Sequence, residues 1–196
     1  MAHFYLVRHG SNDVLGKALA ARLPNIHLNA QGREEARRTA EALMGKGITR
    51  VISSPMERAR ETAEALADRL GIGIEIHEGV NEIAFGDWSG RPMGELEASP
   101  GWKLFNAYRS GTRIPNGELM IETQCRVIRL LEDLRTKEPG GSFAIFSHGD
   151  PIKLAIAYYL GAPLDLFTRI EIGTGSYSVL RLEEWGPQIL AVNVCP

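Results

Sequence analysis

The segment Phe4-Tyr5-Leu6-Val7-Arg8-His9-Gly10 is a short apolar run that leads directly into an arginine and a histidine-glycine pair. A second pair of this kind, Ser147-His148-Gly149, follows the apolar run Phe143-Ala144-Ile145-Phe146. Short apolar runs bounded by turn residues are typical of buried parallel strands. The loops at the carboxyl ends of parallel strands lie along one edge of the sheet, and ligands bind there. The two histidines are therefore predicted to meet at that edge.

A third loop of the same kind carries an arginine. The segment Ser53-Ser54-Pro55-Met56-Glu57-Arg58 follows a short apolar run and precedes a helical pattern. Ser54 is predicted to be the N-cap, with Pro55 at the first helical position and Glu57 completing a capping box. Arg58 would then lie in the first helical turn, near the positive helix end where anions are favoured. Together the three loops supply two histidines and two arginines, a set that can hold a phosphate and attack it.

Alternating strand and helix patterns run through the rest of the chain. Helical periodicity predicts helices at 30–45, 55–70, 101–109, 118–136 and 150–160. Short apolar or β-branched runs predict strands at 3–7, 50–53, 73–77, 142–146, 168–172, 176–182 and 188–192. The Asp150-Pro151 pair is expected to cap the last helix. This pattern predicts an α/β fold with a mostly parallel mixed sheet and helices on both faces, and the length favours a single domain, 1–196.

The composition argues against a nucleic-acid-binding protein and against a membrane-spanning protein. The 22 basic and 24 acidic residues give a formal net charge of −2, which argues against a nucleic-acid partner. No apolar stretch approaches the length of a membrane span. Two cysteines, Cys125 and Cys195, are too few for a disulfide framework, and no signal peptide precedes the first strand. A cytoplasmic protein is expected, and its oligomeric state stays open.

The predicted cluster has the chemistry of phosphoryl transfer. Arginine donates parallel hydrogen bonds to two phosphate oxygens and stays charged, which suits Arg8 and Arg58. An imidazole nitrogen of His9 can act as a nucleophile when the other nitrogen is held by a hydrogen bond, and the carbonyl oxygen of the His9-Gly10 turn is a candidate partner. His148, if protonated, adds a third cationic donor. Such a cluster can catalyse the reaction without a metal or other cofactor.

The leaving alkoxide also needs a proton. Glu82 is the candidate donor, because it lies in the irregular, glycine-rich and aromatic segment 81–90. A carboxylic acid there would protonate the leaving group and then accept a proton from the attacking water. A partly apolar setting beside a bound dianion is expected to favour its protonated form.

Several motifs in this order resemble the histidine phosphatase superfamily, also called the phosphoglycerate mutase-like family. They are Leu6-Val7-Arg8-His9-Gly10, Leu28-Asn29-Ala30-Gln31-Gly32, Ser53-Ser54-Pro55-Met56-Glu57-Arg58-Ala59 with Thr62-Ala63, Asn81-Glu82-Ile83-Ala84-Phe85-Gly86-Asp87-Trp88-Ser89-Gly90, and Ser147-His148-Gly149. The resemblance implies a three-layer α/β/α sandwich and a phosphohistidine intermediate on His9. It also implies a phosphate pocket completed by Arg8, Arg58 and His148, and it makes Glu82 the proton donor. Most members of the family need no metal.

The sequence departs from the family pattern where the substrate is expected. Ser11-Asn12 replaces the usual Glu or Gln followed by Thr, Leu15 replaces a common Asn, and the usual P-G-G-E-S reads Pro115-Asn116-Gly117-Glu118-Leu119. These positions border the substrate, so Asn12 is a substrate-binding candidate. Arg22 lies in the polar loop after the first motif, where it could reach a distal group of the substrate or simply be exposed.

Simpler interpretations stay open beside these. Arg58 could be a solvated helix residue paired with Glu57 or Glu61, and Glu82 could have only a surface role. The aromatic side chains in 101–109 could form a lid, although an ordinary packing face is favoured.

The interpretation that the sequence favours is a metal-independent phosphomonoester phosphatase. Its substrate would be a small phosphorylated metabolite, with a phosphoprotein as another candidate. The alternatives are a cofactor-dependent phosphoglycerate mutase and a non-catalytic protein that binds phosphorylated ligands.

Overall fold

A single mixed sheet of six strands organises the molecule, whose computed structural model describes residues 1–196. The strands are β1 (Ala2–Arg8), β2 (Arg50–Ser53), β3 (Ile74–Ile76), β4 (Ser142–Ser147), β5 (Tyr177–Leu182) and β6 (Pro187–Val194). Their order across the sheet is β3-β2-β4-β1-β5-β6. The pairs β3/β2, β2/β4 and β4/β1 are parallel, whereas β5 runs antiparallel to both β1 and β6. The carboxyl ends of β1, β2 and β4 therefore lie side by side at one edge.

Helices cover both faces of this sheet. They are α1 (Ala30–Leu43), α2 (Glu57–Leu70), α3 (Met93–Ala98), α4 (Pro100–Ala107), α5 (Met120–Lys137) and α6 (Gly149–Leu160). Phe4 and Leu6 of β1 belong to a buried cluster with α5 and α6. The alternate residues Tyr5 and Val7 belong to a cluster with α1 and α2. The period-2 alternation of a strand thus builds two cores and three layers. None of the helices has the length and apolarity needed to span a membrane.

A third buried cluster lies in the irregular region between β3 and α5. Trp88 packs edge-on against Phe105 of α4 with ring centroids 5.3 Å apart, and Trp102 lies 5.3 Å from Trp88 in the same geometry. Phe85 and Leu154 of α6 join the cluster. The aromatic face of α4 is therefore a packing face, the interpretation that the sequence favoured over a lid.

Three local predictions are wrong. Helix α2 begins at Glu57 and not at Pro55, and Met56 occupies its N-cap position without a side-chain hydrogen bond. The segment predicted as a strand at 168–172 instead begins inside a 3-10 helix, Leu164–Arg169, and forms no strand after it. Helix α6 begins at Gly149, one residue before the predicted Asp150-Pro151 cap. In the 3-10 helix the burial of Phe167 outweighs the local strand pattern.

Candidate active site

The loops that leave β1, β2 and β4 bring three predicted residues into direct contact. The Nε of Arg58 donates a hydrogen bond to Nε2 of His9 at 3.2 Å, and its Nη2 lies 3.1 Å from Nδ1 of His148. The two imidazole rings stand edge to face with centroids 5.2 Å apart. All three side chains are buried. Residues separated by up to 139 positions thus share one site because their strands end at one sheet edge.

Hydrogen bonds to His9 fix which nitrogen carries the proton. Its Nδ1 lies 2.8 Å from the carbonyl oxygen of Gly10, and a carbonyl only accepts, so Nδ1 is the donor. Nε2 is then left with its lone pair, which receives the Arg58 hydrogen bond. Burial lowers the pKa of His9 well below its usual range, and the charges of Arg58 and Arg8 lower that pKa further. The neutral ring carries its lone pair on the nitrogen that lines the cavity.

The backbone around Gly10 holds this nucleophile loop in place. The Gly10 N–H donates to Oγ1 of Thr62 at 3.0 Å, and that hydroxyl donates to the carbonyl oxygen of Arg58 at 2.6 Å. A Cβ at Gly10 would lie 2.4 Å from the carbonyl oxygen of Gly32 in α1. Helices α1 and α2 therefore both fix the loop. Thr62 appeared in the sequence motif without an assigned role.

Two guanidinium donors in the site have no protein partner. Arg8 donates from Nη1 to the carbonyl oxygen of Ile172 at 2.6 Å, and Arg58 donates from Nη2 to that of Ala21 at 2.8 Å. The Nε of Arg8 and the Nη1 of Arg58 are buried and make no hydrogen bond. An unpaired buried donor costs about 1–3 kcal/mol, and more when it is charged. An anion in the cavity would satisfy both groups.

His148 is fully buried and held from both sides. Its Nε2 lies 2.8 Å from the hydroxyl of Ser54, and its Nδ1 faces Arg58. Burial and then the charge of Arg58 lower the pKa of His148 well below its usual range. This shift favours the neutral ring, whereas the sequence suggested the protonated form as a candidate cationic donor. The contact with Ser54 was missed because capping chemistry explained that serine locally.

Glu82 completes the group of predicted residues. Its carboxyl Oε2 lies 3.6 Å from Nδ1 of His148, and its side chain is 15% exposed. Burial raises the pKa of Glu82 to about 7, and the charge of Asp150 adds to this rise while Arg58 opposes it. A carboxyl group with this pKa exists in both protonation states near neutral pH, as a general acid and base requires.

Arg22 lies outside the cavity, where it supports the Glu82 segment from behind. Its Nε donates to the carbonyl oxygen of Glu82 at 2.7 Å, and its Nη2 lies 3.1 Å from the carboxylate of Glu118. Arg126 donates to the same Glu82 carbonyl at 2.9 Å and also binds Glu118. The guanidinium of Arg22 is therefore engaged within the protein. Arg126 carried no functional assignment in the sequence, because its partners are distant in the chain. Glu118 was expected to border the substrate, but neither it nor any other residue of 115–119 lines the cavity.

A cavity of about 250 Å³ opens over these groups. Its polar lining comprises Arg8, His9, Asn12, Arg58, Glu82 and Asp150. Asn12 turns its Oδ1 toward its own loop, where it accepts from the N–H groups of Val14 and Leu15, both at 3.1 Å. Five of the seven predicted site residues thus line one cavity, His148 lies directly beneath it, and Arg22 does not reach it.

Comparison with known proteins identifies the family of this chain. The family model described as histidine phosphatase superfamily (branch 1) matches residues 4–195. The chain is also 30% identical over 187 residues to the probable phosphoglycerate mutase GpmB of Enterobacter sp. (strain 638). That alignment covers 94% of this chain and 86% of the relative.

Solved structures share the same fold. A phosphoserine phosphatase mutant from Entamoeba histolytica, in complex with phosphoserine, has a TM-score of 0.88 and 25% identity, with 100% of this chain and 98% of that chain covered. Mycobacterial glucosyl-3-phosphoglycerate phosphatase in complex with VO3 has a TM-score of 0.87 and 25% identity, with 98% of both chains covered. The predicted α/β sandwich is confirmed.

Proposed function

The chain belongs to the histidine phosphatase superfamily, and from that premise we propose that it is a metal-independent phosphatase of phosphomonoesters. The observation that carries the proposal is the pair of unpartnered guanidinium donors, Arg8 Nε and Arg58 Nη1, beside the unprotonated Nε2 of His9. A dianionic phosphoryl group would satisfy both donors and lie within reach of the nucleophile. The two arginines supply the positive charge that phosphoryl transfer requires.

The first step would transfer the phosphoryl group to His9. The Nε2 lone pair attacks phosphorus, the phosphorus–oxygen ester bond breaks, and the leaving oxygen takes the proton of Glu82. The phosphorylated ring keeps its proton on Nδ1 and becomes cationic. The carbonyl oxygen of Gly10 at Nδ1 stabilises that charge.

The second step would return His9 to its starting form. The Glu82 carboxylate takes a proton from a water molecule whose oxygen attacks phosphorus, and the phosphorus–nitrogen bond breaks with its electrons returning to Nε2. Inorganic phosphate leaves, and Glu82 is protonated again. One carboxyl group with a pKa of about 7 can act as the acid and then as the base.

Trapping of the intermediate tests this proposal. Alkaline quenching of the enzyme with labelled p-nitrophenyl phosphate should yield an acid-labile phosphoprotein, which His9→Ala should lack while losing turnover on the order of 10³-fold or more. His27→Ala, which changes an exposed histidine, should behave like the native protein, and EDTA should leave turnover unchanged. Normal turnover in folded His9→Ala would refute the mechanism.

A phosphoglycerate mutase is the second candidate, because the similarity to a probable phosphoglycerate mutase covers most of the chain. A mutase returns the phosphoryl group to bound substrate and not to water. Incubation with 3-phosphoglycerate and a trace of 2,3-bisphosphoglycerate separates the two: isomerisation without release of inorganic phosphate supports the mutase. Absence of isomerisation, together with hydrolysis of p-nitrophenyl phosphate, supports the phosphatase.

A protein that only binds phosphorylated ligands would use the same arginines without turnover. The proton donor Glu82 argues for catalysis, since binding alone does not need it. Vanadate-sensitive release of phosphate from p-nitrophenyl phosphate would exclude this alternative. A small phosphorylated metabolite suits a cavity of about 250 Å³ better than a folded phosphoprotein does. The proposal includes the cytoplasmic location expected from the sequence.

A further inference from the structure

The part of the cavity beyond the phosphate-binding groups is almost entirely apolar. The side chains there are those of Leu15, Ala18, Leu19, Ala20, Phe85 and Met93. Phe85 is fixed in the third buried cluster, where its ring lies 6.3 Å from those of Trp102 and Phe105. This wall offers dispersion contact and burial to the organic part of a phosphate ester, but no charge-bearing partner.

The charges that remain in the lining are negative. Arg8 and Arg58 are its only cationic side chains, and the proposed function assigns both to the phosphoryl group. Asp150, the second residue of α6, adds a carboxylate to the wall. Its single side-chain partner is the Nη1 of Arg109 at 3.4 Å, a long contact, and 28% of the Asp150 side chain is exposed. The carboxylate is therefore incompletely neutralised.

Arg109 itself is unavailable to a ligand. Its guanidinium carbon lies 4.6 Å from the ring centre of Phe105 and 4.7 Å from that of Phe167, so the group is held between two aromatic faces. Arg109 is buried and absent from the cavity lining. A second anionic group on the substrate would consequently meet the Asp150 carboxylate without a cation to bind it. The charge of Asp150 already reaches Glu82, whose pKa it raises.

We propose that this pocket selects phosphomonoesters with an uncharged, largely apolar organic group, and that Asp150 is the specificity-determining residue that rejects esters bearing a carboxylate. The inference rests on the proposed phosphatase function and adds its substrate class. It separates this chain from enzymes of phosphoglycerates, whose substrates carry a carboxylate close to the phosphate.

A matched pair of substrates tests the proposal. The ester 4-phosphooxybutanoate and its amide have the same length and nearly the same leaving group, and they differ in one negative charge. In the native enzyme the substrate carboxylate would lie within a few ångströms of the Asp150 carboxylate, and the two negative charges repel each other. We therefore expect kcat/KM to be roughly tenfold or more higher for the amide than for the carboxylate. Asp150→Asn should bring that preference close to one. Because Glu82 acts on both substrates, any effect of the substitution on Glu82 cancels in the ratio of the two kcat/KM values.

Asp87→Asn is the control, because Asp87 is an exposed carboxylate that does not line the cavity. It should keep the native preference. Asp150→Ala serves in the same way if Asp150→Asn does not fold. In a series of n-alkyl phosphates, kcat/KM should also rise roughly threefold per added methylene until the cavity is filled.

The possible results distinguish an error in the phosphatase function from an error in the substrate class. If neither ester is hydrolysed, the phosphatase function itself is wrong. If both esters are hydrolysed and the carboxylate is accepted as well as the amide, the function stands and the substrate class is wrong. A native preference for the amide that persists in both Asp150 variants would overturn the role of Asp150.

Discussion

The hydroxyl of Ser54 lies 2.8 Å from Nε2 of His148, and this contact can hold the imidazole in either of its two neutral tautomers. The hydroxyl also donates to Oδ1 of Asn81 at 3.3 Å, which leaves a lone pair on the hydroxyl oxygen to accept the proton of Nε2. If a phosphoryl group takes a hydrogen bond from Nδ1, the neutral ring must shift its proton, and Ser54 can donate to Nε2 instead. A hydroxyl serves both tautomers because it is donor and acceptor.

Replacement of Ser54 by alanine is expected to reduce kcat roughly fivefold to tenfold, the effect of one hydrogen bond of about 1 kcal/mol or slightly more. Steady-state kinetics with an alkyl phosphate would measure it. Ser53→Ala is the control, since the Ser53 hydroxyl is equally buried but bonds the carbonyl oxygen of Ser54. Equal effects of the two substitutions on kcat would show that the loss is structural and not specific to His148.

The raised pKa of Glu82 predicts the alkaline limb of the pH profile. Leaving-group protonation needs the protonated carboxyl, so kcat/KM should fall above pH of about 7. Protonation of His9 should cause no loss until well below the ordinary histidine range, because the pKa of His9 is lowered. An acidic limb near pH of about 6 would instead report protonation of the phosphate dianion of the substrate. Asp150→Asn should move the alkaline limb to lower pH, since the Asp150 charge contributes to the rise.

Glu82→Gln should abolish that limb and lower the rate with alkyl phosphates by roughly 10²–10⁴-fold. The loss with p-nitrophenyl phosphate should be smaller, because nitrophenolate leaves without a proton. Glu78→Gln, a nearby carboxylate that binds Asn81 and does not line the cavity, is the control. A variant at Glu82 that retained the native pH profile would remove it from the mechanism.

Arg58 should determine how the protein responds to phosphate. In Arg58→Met the affinity for inorganic phosphate is expected to fall roughly 10–100-fold, because charge-assisted hydrogen bonds are lost. The Tm gained from millimolar phosphate should shrink accordingly. The ligand-free variant should be no less stable than the native protein, since burial lowers the pKa of Arg58 and its desolvation opposes folding. Thermal unfolding of Arg60→Met, which changes an exposed arginine of the same helix, provides the comparison.

Arg22→Ala distinguishes a supporting role from substrate binding. Because Arg22 donates to the Glu82 carbonyl and pairs with Glu118, its loss should lower kcat by a similar factor for every ester, with little change in KM. Arg91→Ala, which removes an exposed pair with Glu95, should have no such effect. A rise in KM confined to esters with a distal anion would assign Arg22 to the substrate.

The sequence predicts a helix or strand correctly where a single local pattern determines the secondary structure. The apolar runs of β1 and β4 have no alternative to burial in a sheet, and Gly161 ends α6 in the left-handed conformation with φ of 69°. The segment 168–172 also alternates like a strand. There, burial of Phe167 and Ile172 in two different clusters outweighs β-propensity.

The residues of the candidate active site also fall into two groups, those that the sequence predicts and those that it does not. His9, Arg58 and His148 follow strand ends, and topology alone brings such loops together. Ser54, Thr62 and Asp150 could not be assigned from the sequence, because their roles depend on partners that only folding brings near. The local chemistry of Ser54 favoured a helix cap, yet a buried imidazole needs a hydrogen-bond partner, and that need prevails.

The cavity that captures a phosphate ester is equally suited to the ion that hydrolysis leaves behind. Inorganic phosphate meets the same two guanidinium groups once the alcohol has departed. We therefore expect inorganic phosphate to inhibit turnover in competition with the substrate. A solution rich in phosphate would hold the enzyme in its product-bound form.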